Sequence, residues 1–173
     1  MCWPASPIAI PRHELPAPGL SRALADAIVE ALRPSPFAVW VGWGARRHGA
    51  AVRRLLDLTG APVMSSPRGL GIVDRHPQFI GVTGNGGHDT VVEGLRRWRP
   101  QHVLVLGSGL GEATSGWRRE LAPPGGFVHV DLDARVFGRS YPHVPTLGVQ
   151  ADIGDVLAVL LPRAGELGRR TFG

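Results

Sequence analysis

The chain is poor in the residues that many covalent scaffolds and reactions require. It has a single cysteine, Cys2, in 173 residues, so neither a disulfide framework nor a cysteine-based zinc site can form. It has no lysine, all nineteen basic residues being arginine; a Schiff base and a P-loop lysine are therefore excluded. No run reaches the ~18 apolar residues of a membrane span, and the first residues lack the basic-then-apolar order of a signal peptide. The seven histidines (His13, His48, His76, His88, His102, His129 and His143) form no HxH or HxxxH pair, which argues against zinc. There is no GxSxG elbow, since Ser108 sits between glycines outside that frame. His88-Asp89 has no nucleophile near it in sequence and reads as loop structure. The expectation from these absences is a cytoplasmic protein with no membrane partner.

What is present suits one folded domain. Hydrophobic residues make up 43% and charged residues 19%, the balance of an ordinary globular chain, and the length suits one well-buried core. The net charge of +5 raises the question of nucleic acid. The arginines, however, fall in short pairs such as Arg46-Arg47, Arg53-Arg54 and Arg96-Arg97 on amphipathic segments, with no aromatic interleaving. They read as solvated helix faces, and no nucleic-acid partner is expected.

Residues 1–19 hold five prolines, Pro4, Pro7, Pro11, Pro16 and Pro18, and no periodicity; they read as a linker or strap. From Ser21 onward helical and strand patterns alternate. Ser21 caps a helix with Leu24, Ile28 and Leu32 at four-residue spacing, ended by Pro34 and Pro36. Strands are expected at 37–42, 61–65, 79–82, 102–106, 127–131 and 146–150, and helices at 46–58 and 90–98. A closing helix is capped by Asp152 and buries Ile153, Val156, Leu157 and Leu160. Residues 162–173 read as a flexible tail. Apolar runs that are continuous, without in-out alternation, indicate a parallel sheet covered on both faces. The expected fold is α/β, doubly wound, over residues 20–161.

In such a sheet, ligands lie beyond the carboxyl ends of the strands. Gly42 and Gly44 follow the first strand; Gly107, Ser108 and Gly109 follow the fourth. Glycines there let a phosphate approach backbone amides, yet they also occur for packing alone, and neither loop completes GxGxxG. Arg47 and Glu112 stand where the third glycine would be. Asp131, ending the fifth strand, fits either a ribose hydroxyl or a cap on the turn at 134–138.

Read in order, seven segments resemble the central domain of thiamine-diphosphate-dependent enzymes of the acetolactate synthase and pyruvate oxidase type. They are Phe37-Ala-Val-Trp-Val-Gly-Trp-Gly44-Ala45, Ala61-Pro-Val-Met-Ser-Ser-Pro-Arg-Gly-Leu-Gly71, Arg75-His-Pro-Gln-Phe-Ile-Gly81 and Gly84-Asn-Gly-Gly87, then Val103-Leu-Val-Leu-Gly-Ser-Gly-Leu110, Val128-His-Val-Asp-Leu-Asp133 and Ala151-Asp152. The resemblance implies a Rossmann-like sheet of about six parallel strands, like that of sirtuins and electron-transfer flavoproteins. It implies that thiamine diphosphate and Mg2+ serve the parent enzyme through two outer domains, in the same polypeptide or a separate subunit. This chain would have no catalytic residues of its own, and the parent, a transferase or lyase of 2-oxo acids, would be a homo-oligomer. FAD or ADP is possible in this domain. Carried over by position, Gly42 and Gly44 would face the diphosphate, Ser65 and Ser66 would line the same cleft, and Asp131 would approach the adenosine. Two departures weaken a flavin role: the arginine of the flavin-binding G-A-R-F pattern is Gly109, and the lysine of the G-K-G piece is Leu70. Two alternatives remain, a free-standing adenine-nucleotide-binding module and a purely structural interaction domain.

Overall fold

The computed structural model describes residues 19–33 and 35–167. The proline-rich stretch 1–18, Pro34 and residues 168–173 lie outside the described residues.

Local chemistry explains most element boundaries. In α1 (Arg22–Leu32), the Ser21 hydroxyl accepts from the Leu24 amide at 3.2 Å, a cap worth about 1 kcal/mol. The helix buries Ala25, Ile28, Val29 and Leu32. β1 (Phe37–Val41) follows, buried at every position. The helix expected at 46–58 is divided into a tight 3-10 turn at Trp43–Arg47 and α2 (Gly49–Thr59). The cause is tethering: the Gly42 and Gly44 amides donate to the Leu106 and Gly107 carbonyls, so the chain turns sharply before the α-helix begins. β2 (Val63–Ser65) starts two residues later than the apolar run, because Pro62 has no amide to give; its carbonyl still accepts from Val39.

The remaining elements are β3 (Phe79–Val82), α3 (Asp89–Trp98), β4 (His102–Leu106), α4 (Glu112–Ser115), β5 (Gly126–Asp131), β6 (Thr146–Gln150) and α5 (Ile153–Leu160). Asp152 caps α5 by accepting from the Gly154 amide at 2.7 Å. All six strands are parallel in the order β3-β2-β1-β4-β5-β6. The expected α/β doubly wound sheet is thus observed, open and six-stranded. Its order reverses between β1 and β4, where Val39 pairs with Leu104 and Val41 with Leu106.

Strand alternation sends side chains into two cores. Val39, Val41, Leu104, Leu106, Val128 and Val130 pack with α1, α2 and α5. Trp40, Met64, Val103, Val105 and Phe127 pack with Val91, Val92 and Leu95 of α3. Each fully buried leucine or valine contributes about 1.5–3 kcal/mol relative to exposure, so the central strands anchor both layers.

The carboxyl end needs a correction. The flexible tail was expected from 162, yet Ala164–Leu167 form a 3-10 turn with Ala164 and Leu167 buried, Leu167 within the core of α1, α2 and α5. Arg163 holds the turn to α1 through Asp26 at 2.6 Å and also pairs with Glu166 at 2.8 Å. Apolar side chains at 164 and 167 share one face of a turn, a spacing too short to register as a helix.

Candidate functional site

The reversal between β1 and β4 is where a doubly wound sheet opens a crevice for a ligand, and both glycine loops converge there. They converge on each other. The Gly44 amide donates to the Gly107 carbonyl at 3.0 Å, the Gly42 amide to the Leu106 carbonyl at 2.9 Å, and the Gly107 amide to the Val130 carbonyl at 2.9 Å. A Cβ on Gly42 would stand 2.1 Å from the Gly107 oxygen, and one on Gly107, at φ +66°, would stand 2.5 Å from the Gly44 Cα. Backbone against backbone is therefore what these three glycines permit, and the amides of Gly42 and Gly44 are already spent on the carbonyls of Leu106 and Gly107.

Beyond this contact lies a cavity of about 70 Å³ lined by Gly44, Gly107, Asp131, Leu132, Ala151, Asp152 and Ile153. Ligand clefts usually run to about 300–1,000 Å³. Two carboxylates, Asp131 and Asp152, line it with no cation among the lining residues, a field that repels a diphosphate. Ser108 and Gly109 continue the loop. Gly109 is more open, the nearest atoms to a Cβ there being Val136 Cγ1 at 3.8 Å and Arg139 Nη2 at 3.9 Å. The helix that follows, α4, has four residues and opens with Glu112, so it offers a phosphate little dipole and an unfavourable charge.

Each remaining candidate has a local partner or place. The Ser66 hydroxyl accepts from the Gly69 amide at 3.1 Å, capping the turn Pro67–Gly69. Ser65 is fully buried at the end of β2, and its hydroxyl has no hydrogen-bond partner among the described residues. Neither serine lines the cavity beside Gly44. Asp131 Oδ1 accepts from the Asp133 amide at 3.0 Å, while Asp133 itself caps the turn Ala134–Val136 and grips Arg135 at 2.8 Å. The capping role considered for Asp131 thus belongs to Asp133, two residues on. Arg135 holds the Asp133 carboxyl below its ordinary range, first by side-chain and then by backbone hydrogen bonding.

Three further residues shape the region without an obvious sequence signal. His129 on β5 is buried; its Nε2 donates to the Ser108 carbonyl at 2.8 Å, and its ring meets Phe137 edge-on at 5.3 Å. Burial pushes its pKa down, partly opposed by the Ser108 carbonyl and by Asp131, so the neutral Nε2–H form pins the 107–109 loop. His48 Nε2 lies 3.4 Å from Asp152 Oδ1. Trp43, 47% exposed, is flanked by the guanidiniums of Arg46 at 4.8 Å and Arg68 at 5.2 Å. Among the described residues Trp43 is one of four exposed large apolar side chains, the others being Leu70, Trp117 and Leu132; they occupy the connections that follow β1, β2, β4 and β5.

Fold and strand ends together define an open, doubly wound, Rossmann-like α/β domain whose glycine loops close on one another. The chain belongs to the family described as thiamine pyrophosphate enzyme, central domain, which it matches over residues 21–160. It is 32% identical over 144 residues to an acetolactate synthase of Mycobacterium leprae, covering 80% of this chain and 22% of that protein. It is 30% identical over 143 residues to the acetolactate synthase isozyme 1 large subunit of Escherichia coli, covering 82% of this chain and 24% of that protein. A probable 2-ketoarginine decarboxylase of Pseudomonas aeruginosa is 29% identical over 168 residues, 96% of this chain and 28% of the other. The chain therefore spans about a quarter of the length of these relatives. Among the described residues no helix is long and apolar enough to cross a membrane.

Proposed function

We propose that this chain is the non-catalytic middle element of a thiamine-diphosphate-dependent enzyme that makes or breaks carbon–carbon bonds of 2-oxo acids, and that its role there is assembly. The observation that supports the assembly role is the contact between Gly44 and Gly107, which joins the two glycine loops at the reversal of the sheet, where a nucleotide would enter. The small acidic cavity and the four-residue α4 support the same reading. The Gly42 and Gly44 amides, which a diphosphate would use at these strand ends, already donate to the Leu106 and Gly107 carbonyls, which counts against FAD or ADP there. The exposed Trp43, Leu70, Trp117 and Leu132 supply apolar surface on which outer domains can pack.

Thiamine diphosphate, held with Mg2+ by the outer domains, would supply the carbon nucleophile of the parent reaction. The residues of this chain do not fit that cofactor: no group of three or more His, Cys, Asp or Glu converges for a metal among the described residues. The parent is proposed to be a cytoplasmic homo-oligomer, with the outer domains in one polypeptide or supplied by a partner subunit.

Parallel calorimetric titration of the chain with FAD, ADP and Mg-thiamine diphosphate tests this. Silence from all three is the expected result. Saturable binding of FAD or ADP would favour the nucleotide-binding alternative, and binding of thiamine diphosphate would overturn the division of labour between domains.

A further inference from the structure

A mainly apolar concavity opens at the opposite end of the sheet from the crevice, near the amino ends of β4 and β5. It measures about 360 Å³ and lies between the end of α3 and the turn Arg119–Leu121. Its floor is Leu95, Pro100, Val103, Leu121 and Pro123, all buried. Its rim carries Arg96, Arg99 and Glu120. The Glu120 carboxylate faces Arg118 at 3.7 Å, whereas Arg99 is exposed and makes no ion pair among the described residues. Basic residues in the last turn of α3 complement the helix dipole, which accounts for their sign but not for the hollow beside them.

An apolar floor with one or two convergent charged groups is the usual make-up of a small-molecule site. We infer that this hollow binds small amphipathic carboxylates, the apolar body on Leu95, Val103 and Leu121 and the carboxylate at the guanidinium of Arg99. Arginine suits this head group because its planar fork can present two donors to two oxygens. The site is separate from the strand-end crevice and does not depend on the role proposed for that crevice. A size near the lower end of ligand clefts favours an aliphatic or single-ring acid over a nucleotide.

Octanoate, octanol and octylamine serve as probes, followed on the full chain by calorimetry and by amide chemical-shift mapping. Octanoate is expected to bind saturably, more tightly than octanol and far more tightly than octylamine, with shifts centred on Leu95, Val103 and Leu121. Arg99→Gln is expected to weaken octanoate roughly fivefold, the size of one partly exposed charge-assisted hydrogen bond, and to leave octanol unchanged. Ala122→Phe, filling the hollow, is expected to remove both; should that variant not fold, Arg99→Gln and the shift map decide. Octylamine binding as tightly as octanoate, shifts confined to another surface, or no saturable binding would each overturn the assignment.

Discussion

Gly44 and Gly107, sixty-three positions apart in the chain, are joined by an amide-to-carbonyl hydrogen bond of 3.0 Å and are too close for a side chain on Gly107. The contact locks the turn after β1 to the turn after β4 at the reversal of the sheet. It turns a sequence feature usually read as a phosphate cradle into an internal weld.

Gly107→Ala is therefore expected to be costly. The residue sits at φ +66° and the new Cβ would meet backbone at 2.5 Å, combining left-handed strain with overpacking for about 2–4 kcal/mol. Gly109→Ala, where the nearest atom is 3.8 Å away, should change stability by less than about 0.5 kcal/mol. Urea unfolding of the two variants makes the comparison. Equal effects would mean that the loops are not held together in solution.

Asp131→Ala removes the acceptor for the Asp133 amide, a half-exposed hydrogen bond worth less than about 1 kcal/mol. A melting temperature close to that of the parent chain is expected, along with no change in the response to ADP. Loss of an ADP response that the parent chain possessed would restore Asp131 as a ribose ligand.

His129 should give the stability a dependence on pH just below neutrality. Burial lowers its folded-state pKa below the unfolded value of 6.5, so the unfolded chain takes up a proton first as pH falls. Stability is full above about pH 6.5 and declines as pH falls from there towards the folded-state pKa, levelling off only below it. His129→Gln should flatten the melting profile between about pH 6.5 and 5, above the range where the carboxylates titrate. An unchanged slope in that variant would assign the dependence to other groups.

Leu167 tests the carboxyl end. It is 3% exposed, so Leu167→Ala should cost about 2–3 kcal/mol and chain shortened after Leu161 should lose more. A shortened chain with unaltered stability would return these residues to the status of a tail.

Leu104, fully buried at the centre of the sheet and paired with Val39 and Val128, sets the scale for the core. Leu104→Ala is expected to cost about 2–5 kcal/mol. Leu104→Asp should prevent folding, because the carboxylate would be buried without a partner. Circular dichroism melts distinguish the two outcomes, and cooperative folding of the aspartate variant would displace β4 from the centre.

Much of the architecture was legible because it is written in short-range patterns. His102-Val-Leu-Val-Leu106 is a continuous apolar run, and a strand buried on both faces has no polar side to show. Ser21 and Asp152 announce α1 and α5 because a cap is a bond between neighbours in the chain. Boundaries were missed where a distant partner intervened, as at 43–48, where hydrogen bonds to β4 tighten the turn ahead of α2. Asp131 and Asp133 were confused because both have an oxygen at capping distance from local amides, and only backbone dihedrals select between them.

The sequence by itself determined the alternation of strands and helices and the parallel sheet, since each follows from residue type at fixed spacing, while the family was legible through the resemblance of seven ordered segments to known enzymes. Tertiary structure decided what the glycines face. Chain spacing does not say which strands become neighbours, and once β1 and β4 lie side by side, two glycine loops can hold a ligand between them or press together. Here they press together, through hydrogen bonds that need no third partner.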